Sequence, residues 1–355
     1  MVTIRRLIVV PWAIPLRTPL ATARGSIVER RGFLVVLDAD RGLRGVGEAA
    51  PHPADPPTAL RDTRAALADA AHWLVGANAD RLEALVARMA ALPRAAATGL
   101  DMALYDLVGR ATLRPVAALL GERPRPIVET SALLDGDDAT HAAARGFRYA
   151  KLKSAPDAAA TVARVAAARA AAPGLRLRID ANGAWDVTTA LAAAHALAPL
   201  GIDWLEQPAS DVPGLARVRR EGAVAVAADE SVTGPDAVRR LADAAAADVI
   251  VLKLVQVAGL AAARATAAVA AARGIAVTVT TALDTTIGTA AALHLAAALP
   301  DPPRPCGLVT VRLLAGDLAA APLGDGPTMA VPAGPGLGVD IDPAALARWR
   351  MAEDA

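Results

Sequence analysis

The sequence predicts an α/β protein: a (β/α)8-type barrel with an α+β capping domain formed by the N-terminal region and the C-terminal tail. Three observations lead there. First, from about residue 127 to about residue 307 one unit recurs, at roughly 25 residues per cycle: a short apolar β-branched run, a polar turn, and an Ala/Leu/Arg segment with helical spacing. Second, the first ~115 residues lack that alternation and read as a small antiparallel meander followed by helices. Third, the rare lysines and a series of acids fall at the ends of successive predicted strands, the side of such a barrel that carries chemistry.

Taken in order, apolar runs at 3–10, 33–37 and 45–48 form the meander, and segments 58–74, 81–91 and 95–110 have helical periodicity. Between the first two strands, 14–32 mixes Pro, Thr, Arg and Gly with little periodicity, as a mobile lid loop would. The barrel strands are expected at 127–130, 149–153, 175–180, 202–206, 224–227, 249–253, 275–279 and 305–307. Helices are expected between them at 157–171, 187–197, 235–246, 260–273 and 286–299. A strand-like piece at 329–341 is expected to return to the N-terminal sheet. The resulting division is a cap over 1–115, completed by 325–355, and a catalytic barrel over 116–324. An open doubly wound sheet is the alternative, but no Gly-rich phosphate loop opens any of the helices.

Composition narrows the function classes. The chain has 355 residues, with 54% hydrophobic and 21% charged, which excludes a disordered chain. Its 37 basic and 36 acidic residues nearly cancel, so no positive field exists to gather nucleic acid. No apolar stretch reaches the ~20 residues of a membrane span, so neither nucleic acid nor membrane is an expected partner. The single Cys306 allows no intrachain disulfide, and the apolar run before Pro11 is too short for a secretory signal. Cytoplasm is the expected compartment.

Of the 37 basic residues only three are lysines: Lys151, Lys153 and Lys253. A proteome that uses Arg for generic positive charge keeps Lys where an amine must shed its proton, because the guanidinium cannot. All three fall at predicted strand ends, the second strand closing with Lys151-Leu152-Lys153 and the sixth with Lys253. Between them the third strand closes with Asp180, the fourth with Glu206, and the fifth just before Asp229. Three carboxylates converging on a barrel mouth repel one another unless a cation joins them, and an all-oxygen set favours Mg²⁺, with Mn²⁺ as the alternative. The plainer account, that these acids cap helices or pair at the surface, has to hold in three consecutive units at once. Lys151 and Lys153 stand two positions apart on one face of the strand, so each ammonium is expected to lower the pKa of the other and leave Lys153 able to take a proton. The chemistry implied is proton abstraction beside the carboxylate of a small molecule, with the resulting carbanion stabilised as an enediolate.

The elements K-L-K, D-A-N, L-E-Q-P, A-D-E-S and V-L-K, in this order and spacing, resemble the enolase superfamily, muconate-lactonising subgroup. The resemblance spans nearly the whole chain. It implies Mg²⁺ on Asp180, Glu206 and Asp229, a lysine acid/base at Lys153 with Lys253 as its counterpart, and supporting roles for Lys151, Asn182 and Glu230. The seventh and eighth strand ends, which carry Thr281 and Gly307, resemble the A-L-[DE]-[ST]-[ST]-[VI]-G and C-G-L-x-T stretches of o-succinylbenzoate synthases. Dipeptide epimerases usually carry an Asp-x-Asp on the eighth strand, where this chain has Gly307 and Val309. The implied activity is therefore a carbon–oxygen lyase of menaquinone synthesis that dehydrates a 2-succinyl-6-hydroxy-cyclohexadiene carboxylate. An N-succinylamino acid racemase or dipeptide epimerase is the second reading, and a non-catalytic binding barrel the third. Arg24 in the lid segment resembles a substrate-covering residue. Ala258-Gly259 departs from a Gly-Gly commonly seen after the sixth strand. The five histidines do not group; four are expected to pack or face solvent, while His52 is placed to reach the pocket. A homo-oligomer stays open.

Overall fold

The computed structural model describes all residues except 23–24, 54, 135–137, 156 and 353–355. The chain opens with an antiparallel meander of β1 (Ile4–Thr22), β2 (Gly25–Ala39) and β3 (Arg44–Ala49), in the order β1-β2-β3. Helices α1 (Thr58–Leu74), α2 (Leu82–Met89) and α3 (Arg94–Thr112) follow. Gly45 and Gly47 let α3 lie directly on β3, since a Cβ on either would sit within 2.1 Å of an α3 carbonyl. Phe33, Val35 and Leu37 of β2 pack with Leu100, Leu104 and Leu107 of α3 in one buried cluster.

The expected lid loop is instead a continuation of the β1–β2 hairpin. Pairing runs through Ala13↔Arg31, Ile14↔Arg30 and Pro15↔Glu29, and resumes at Leu20↔Ile27 after a register shift. Pro15 and Pro19 obscure the alternation in the sequence, yet β1 is an edge strand and tolerates residues that cannot donate to the ladder. Arg24 lies outside the described residues.

A short helix α4 (Val116–Leu120) leads to β4 (Ile127–Glu129) and β5 (Ala132–Leu134). The repeating part follows as α5 (Ala139–Ala144), β6 (Tyr149–Lys153), α6 (Ala158–Ala171), β7 (Arg176–Asp180), α7 (Val187–Leu197), β8 (Trp204–Glu206), α8 (Val212–Glu221), β9 (Val226–Ala228) and α9 (Pro235–Asp243). It ends with β10 (Val249–Leu252), α10 (Leu254–Val257), α11 (Leu260–Ala272), β11 (Ala276–Thr280), α12 (Thr286–Ala298) and β12 (Arg304–Gly307). Strands β5 to β12 are parallel neighbours in chain order, and a bridge between Thr130 and Cys306 brings the sheet's two edges together into a nearly closed barrel. Asp157, Asp186 and Asp211 start α6, α7 and α8 by accepting backbone N–H bonds, as good N-caps do.

Two expectations about strands are corrected. The run at 127–130 is not the first barrel strand: β4 pairs antiparallel with β13 (Thr328–Ala330), and β5, a few residues on, enters the barrel. Both runs are apolar and short, so sequence alone cannot say which finds which partner. For the same reason 329–341 does not return to the N-terminal sheet. That contact is made farther on, after α13 (Pro343–Trp349), where Met351 N–H donates to Pro11 O at 3.0 Å.

Two cap acids complete barrel helices. Asp101 of α3 accepts the Leu260 N–H at 2.5 Å at the start of α11, where Gly259 (φ 111°) leaves no room for a Cβ beside the Asp101 carboxylate. Glu48 of β3 accepts the N–H groups of Thr285 (3.1 Å) and Gly288 (3.2 Å) and the Thr285 hydroxyl at the start of α12. Burial pushes the carboxyls of Asp101 up to about 7 and, with help from nearby Asp284, Glu48 up to about 8. Among the described residues no helix is long and apolar enough to cross a membrane.

His294 of α12 is fully buried, as its packing role requires. Its Nδ1 accepts from Ala117 N–H at 3.2 Å and its Nε2 faces Leu337 O at 3.1 Å, an arrangement that needs the neutral ring. Burial holds its pKa down at about 4. Between that value and the usual 6.5 the unfolded chain binds the extra proton, so stability falls as pH drops through this window, by on the order of 3 kcal/mol in all. Urea unfolding of wild type and His294→Gln between about pH 7 and about pH 4 is expected to show that acid loss flattened in the variant. Parallel pH profiles would remove His294 from the account.

Candidate active site

The barrel register builds the site. Lys153 pairs with Asp180 and Asp180 with Glu206, so the ends of β6, β7 and β8 stand level. Glu206 pairs with Ala227, and Asp229 follows two residues later on the same face. Asp180, Glu206 and Asp229 are at most 2% exposed, and each offers a carboxylate oxygen lying within 4.8 Å of the other two. The backbone behind them is strained at residues carrying side chains, Asn182 (φ 47°) and Gln207 (φ 38°), as at many functional sites.

The lysines divide into two kinds. Lys151 Nζ bridges Asp180 Oδ2 and Glu206 Oε1, both at 2.7 Å. Lys253 Nζ sits 2.5 Å from Asp229 Oδ2. Burial disfavours both charges, but Asp180 and Glu206 carry the Lys151 pKa well above its usual value, and Asp229 raises that of Lys253. Lys153 has no carboxylate within ion-pair distance among the described residues; its Nζ donates to Asn182 Oδ1 at 3.3 Å. Its pKa is lowered, by burial first and then by the Lys151 and Lys253 charges, against the pull of Asp180. The expected repulsion between neighbouring amines is therefore present but ranks behind burial. Asn182 in turn donates to Glu230 Oε1 at 3.1 Å, and burial, together with Asp229 and Asp180, raises the Glu230 pKa.

These groups open on a cavity of about 260 Å³ between barrel and cap. Lys153 and Lys253 line it from β6 and from the residue after β10, strands half-way round from each other in the eight-stranded order. Thr281 and Gly307 also line it, with Thr281 Oγ1 2.6 Å from Thr310 Oγ1. A Cβ at Gly307 would meet Thr280 at 2.8 Å, so that wall is flat. From the cap come His52, as placed from the sequence, and Ser26 and Ile27 of the hairpin. Sequence reasoning missed Gln207, whose Oε1 accepts the Asp229 N–H at 2.9 Å and whose Nε2 donates to Ser231 Oγ at 2.9 Å, tying the ends of β8 and β9 together. It stood inside the L-E-Q-P element, but no chemistry of its own singled it out. Cys306 is buried, with its thiol pushed up to about 12 by that burial, and has no part in the cavity.

The donor set fits a hard dication. All three candidate ligands are carboxylates, Asp229 Oδ1 is buried without a hydrogen-bond partner, and four acids, counting Glu230, surround three amines. Residues 136–345 match the family described as enolase C-terminal domain-like, and residues 4–121 match the mandelate racemase / muconate lactonizing enzyme N-terminal domain. The chain belongs to the enolase superfamily.

It is accordingly an enzyme of that superfamily, with three acids that could hold a metal ion. Muconate cycloisomerase 1 of Rhodococcus opacus is 32% identical over 95% of each chain. An o-succinylbenzoate synthase of Thermobifida fusca is 44% identical, but over 51% of this chain and 57% of its own length. In three dimensions, the muconate lactonizing enzyme of Pseudomonas fluorescens with bound muconolactone superimposes with a TM-score of 0.92 at 28% identity, covering 98% of this chain and 99% of that one. A dipeptide epimerase of Enterococcus faecalis with Mg and L-Leu-L-Tyr gives 0.89 at 28% identity, covering 95% and 99%.

If Lys151 balances Asp180 and Glu206, Lys151→Met leaves two buried carboxylates facing each other, and breaking such a pair costs about 3 kcal/mol or more. In EDTA the variant is expected to melt well below wild type, and added Mg²⁺ is expected to raise its melting temperature by more than it raises that of wild type. Equal losses with and without Mg²⁺ would show that the amine is not balancing those charges.

Proposed function

We propose that the protein is an o-succinylbenzoate synthase, a lyase that dehydrates 2-succinyl-6-hydroxy-cyclohexadiene carboxylate. One observation carries the reading: the two lysines that face each other across the cavity are unlike. Lys253 is locked to Asp229, whereas Lys153 has no carboxylate within ion-pair distance among the described residues and its pKa is lowered by burial and by the Lys151 and Lys253 charges. A racemase needs two amines that exchange a proton in turn; a dehydration on one face needs one base and one fixed cation. The neutral Lys153 takes the α-proton, and the electron pair moves into the carboxylate as an enediolate. The Lys153 ammonium then returns the proton to the hydroxyl on the same face, the C–O bond breaks, water leaves and the ring becomes aromatic. Charged Lys253 stabilises the enediolate from the opposite side. Bound by Asp180, Glu206 and Asp229, Mg²⁺ would supply electrostatic stabilisation of the negative charge that builds on the substrate carboxylate.

Further support comes from the half-chain likeness at 44% identity to a protein of that name. Gly307 and Val309 offer no acid for the ammonium of a dipeptide. A second reading, muconate cycloisomerase, draws on likeness over the full chain at lower identity. It would use the same Lys153 on a carbanion beside a carboxylate.

Purified protein with Mg²⁺ is expected to aromatise the cyclohexadiene substrate, followed by absorbance, and to lose activity in EDTA. Lys153→Arg, which keeps charge but cannot act as a base, is expected to lower kcat by about 10³-fold or more, whereas Lys253→Arg retains measurable turnover. Equal loss in both variants would overturn the division of roles. Lactone formation from cis,cis-muconate without aromatisation would replace the reading by the second one, and α-deuterium exchange into N-succinylamino acids without elimination would replace it by a racemase.

A further inference from the structure

The cavity has walls from both parts of the molecule, and one side chain outside it touches both. Arg30, in β2, is 4% exposed and lies three and four residues beyond Ile27 and Ser26, which line the cavity. Its Nη2 donates to Ala50 O at 3.1 Å and its Nη1 to Pro51 O, the two carbonyls just before the cavity-lining His52 and Pro53. The same Nη2 stands 3.9 Å from Asp284 Oδ1. Asp284 follows Thr281, Ala282 and Leu283, all of which line the cavity, and Thr285 beside it is held by Glu48. Neither Arg30 nor Asp284 lines the cavity itself.

We propose that Arg30 is a positioning residue that tightens substrate binding by clamping the 50–53 wall of the cap to the 281–284 wall of the barrel. A buried guanidinium is suited to this because its planar fork serves two carbonyls and a carboxylate at once, which a lysine ammonium cannot do at the same reach. The carbonyls hold the cap segment, Asp284 offers an opposite charge on the barrel segment, and Glu48 secures the next residue, so Arg30 adds a charged link between walls that apolar packing also joins. The candidate metal ligands lie on β7, β8 and after β9, and no hydrogen bond or ion pair among the described residues joins them to Arg30 or Asp284, so wall spacing and ion binding are tested separately. The inference rests on the cavity being the substrate site, whichever reaction it hosts.

The test uses full-length Arg30→Met, with Arg30→Lys as the milder variant should Met impair folding. With the substrate that wild type turns over, KM is expected to rise about tenfold or more while kcat stays within about threefold. Without substrate, calorimetric Mg²⁺ affinity is expected to stay within about twofold, and amide hydrogen exchange to quicken in 50–53 and 281–288 alone. Arg30→Lys is expected to repeat the KM and kcat split at smaller size, and Asp284→Asn to reproduce the exchange pattern on the barrel side. A fall in kcat as large as the rise in KM, weaker Mg²⁺ binding, or exchange that quickens throughout the cap would each overturn the proposal and leave Arg30 a plain stability residue. Failure of wild type on the cyclohexadiene substrate would sink the functional reading while leaving the exchange and Mg²⁺ measurements to judge the clamp.

Discussion

Mutual repulsion of buried carboxylates is the constraint on which the rest of the site depends. Asp180, Glu206 and Asp229 cannot all stay ionised at the end of a parallel barrel, out of water, without positive charge between and beside them. Lys151 meets that need for the first two and Lys253 for the third, which fixes both amines as cations. Lys153 is then the amine left over. Its position near two fixed cations and away from a carboxylate partner follows from how its neighbours were satisfied, and its capacity to hold or release a proton follows from that position.

The same problem is solved differently at the join between cap and barrel. Asp101 and Glu48 are buried as deeply as the candidate ligands, yet their partners are chiefly backbone N–H groups at the starts of α11 and α12. A helix start leaves such donors without intrahelical partners, and a carboxyl group supplied from another part of the chain fills the gap with its acceptor oxygens. Arg30 and Asp284 add a charged contact next to the Glu48 bonds. Polar contacts therefore act beside apolar packing where the cap meets the upper rim of the cavity, with Ala50 and Met102 in one buried cluster with Leu283 and Ile287.

Much of this was legible in the sequence because strand ends carry chemistry and lysine is scarce in this chain. Period and turn residues located β6 and α7 to the residue, and Lys153, Asp180 and Glu206 stand level because β6, β7 and β8 are each read correctly at the C-terminal end. What failed has physical causes. The 127–130 run carries the apolar signal of a strand but not the identity of its partner, which is 200 residues away at 328–330. The 14–32 segment hides its alternation behind prolines that only an edge strand accepts. Helix α8 carries proline at its second position and glycine at its third, which mask its amphipathic face in the sequence. Gln207 and Arg30 act through hydrogen bonds to main-chain atoms, and no periodicity or motif announces such bonds.

The strained turns after the candidate ligands limit how this scaffold can change. Asn182 and Gln207 hold left-handed backbone angles with full side chains, where a β-branched residue would be far costlier. Drift at those two sites is thereby confined to glycine, asparagine and the few others that accept such angles. Divergence toward new substrates has to run through the walls, leaving the hinge points beneath the acids nearly frozen while the rim above them is free to vary.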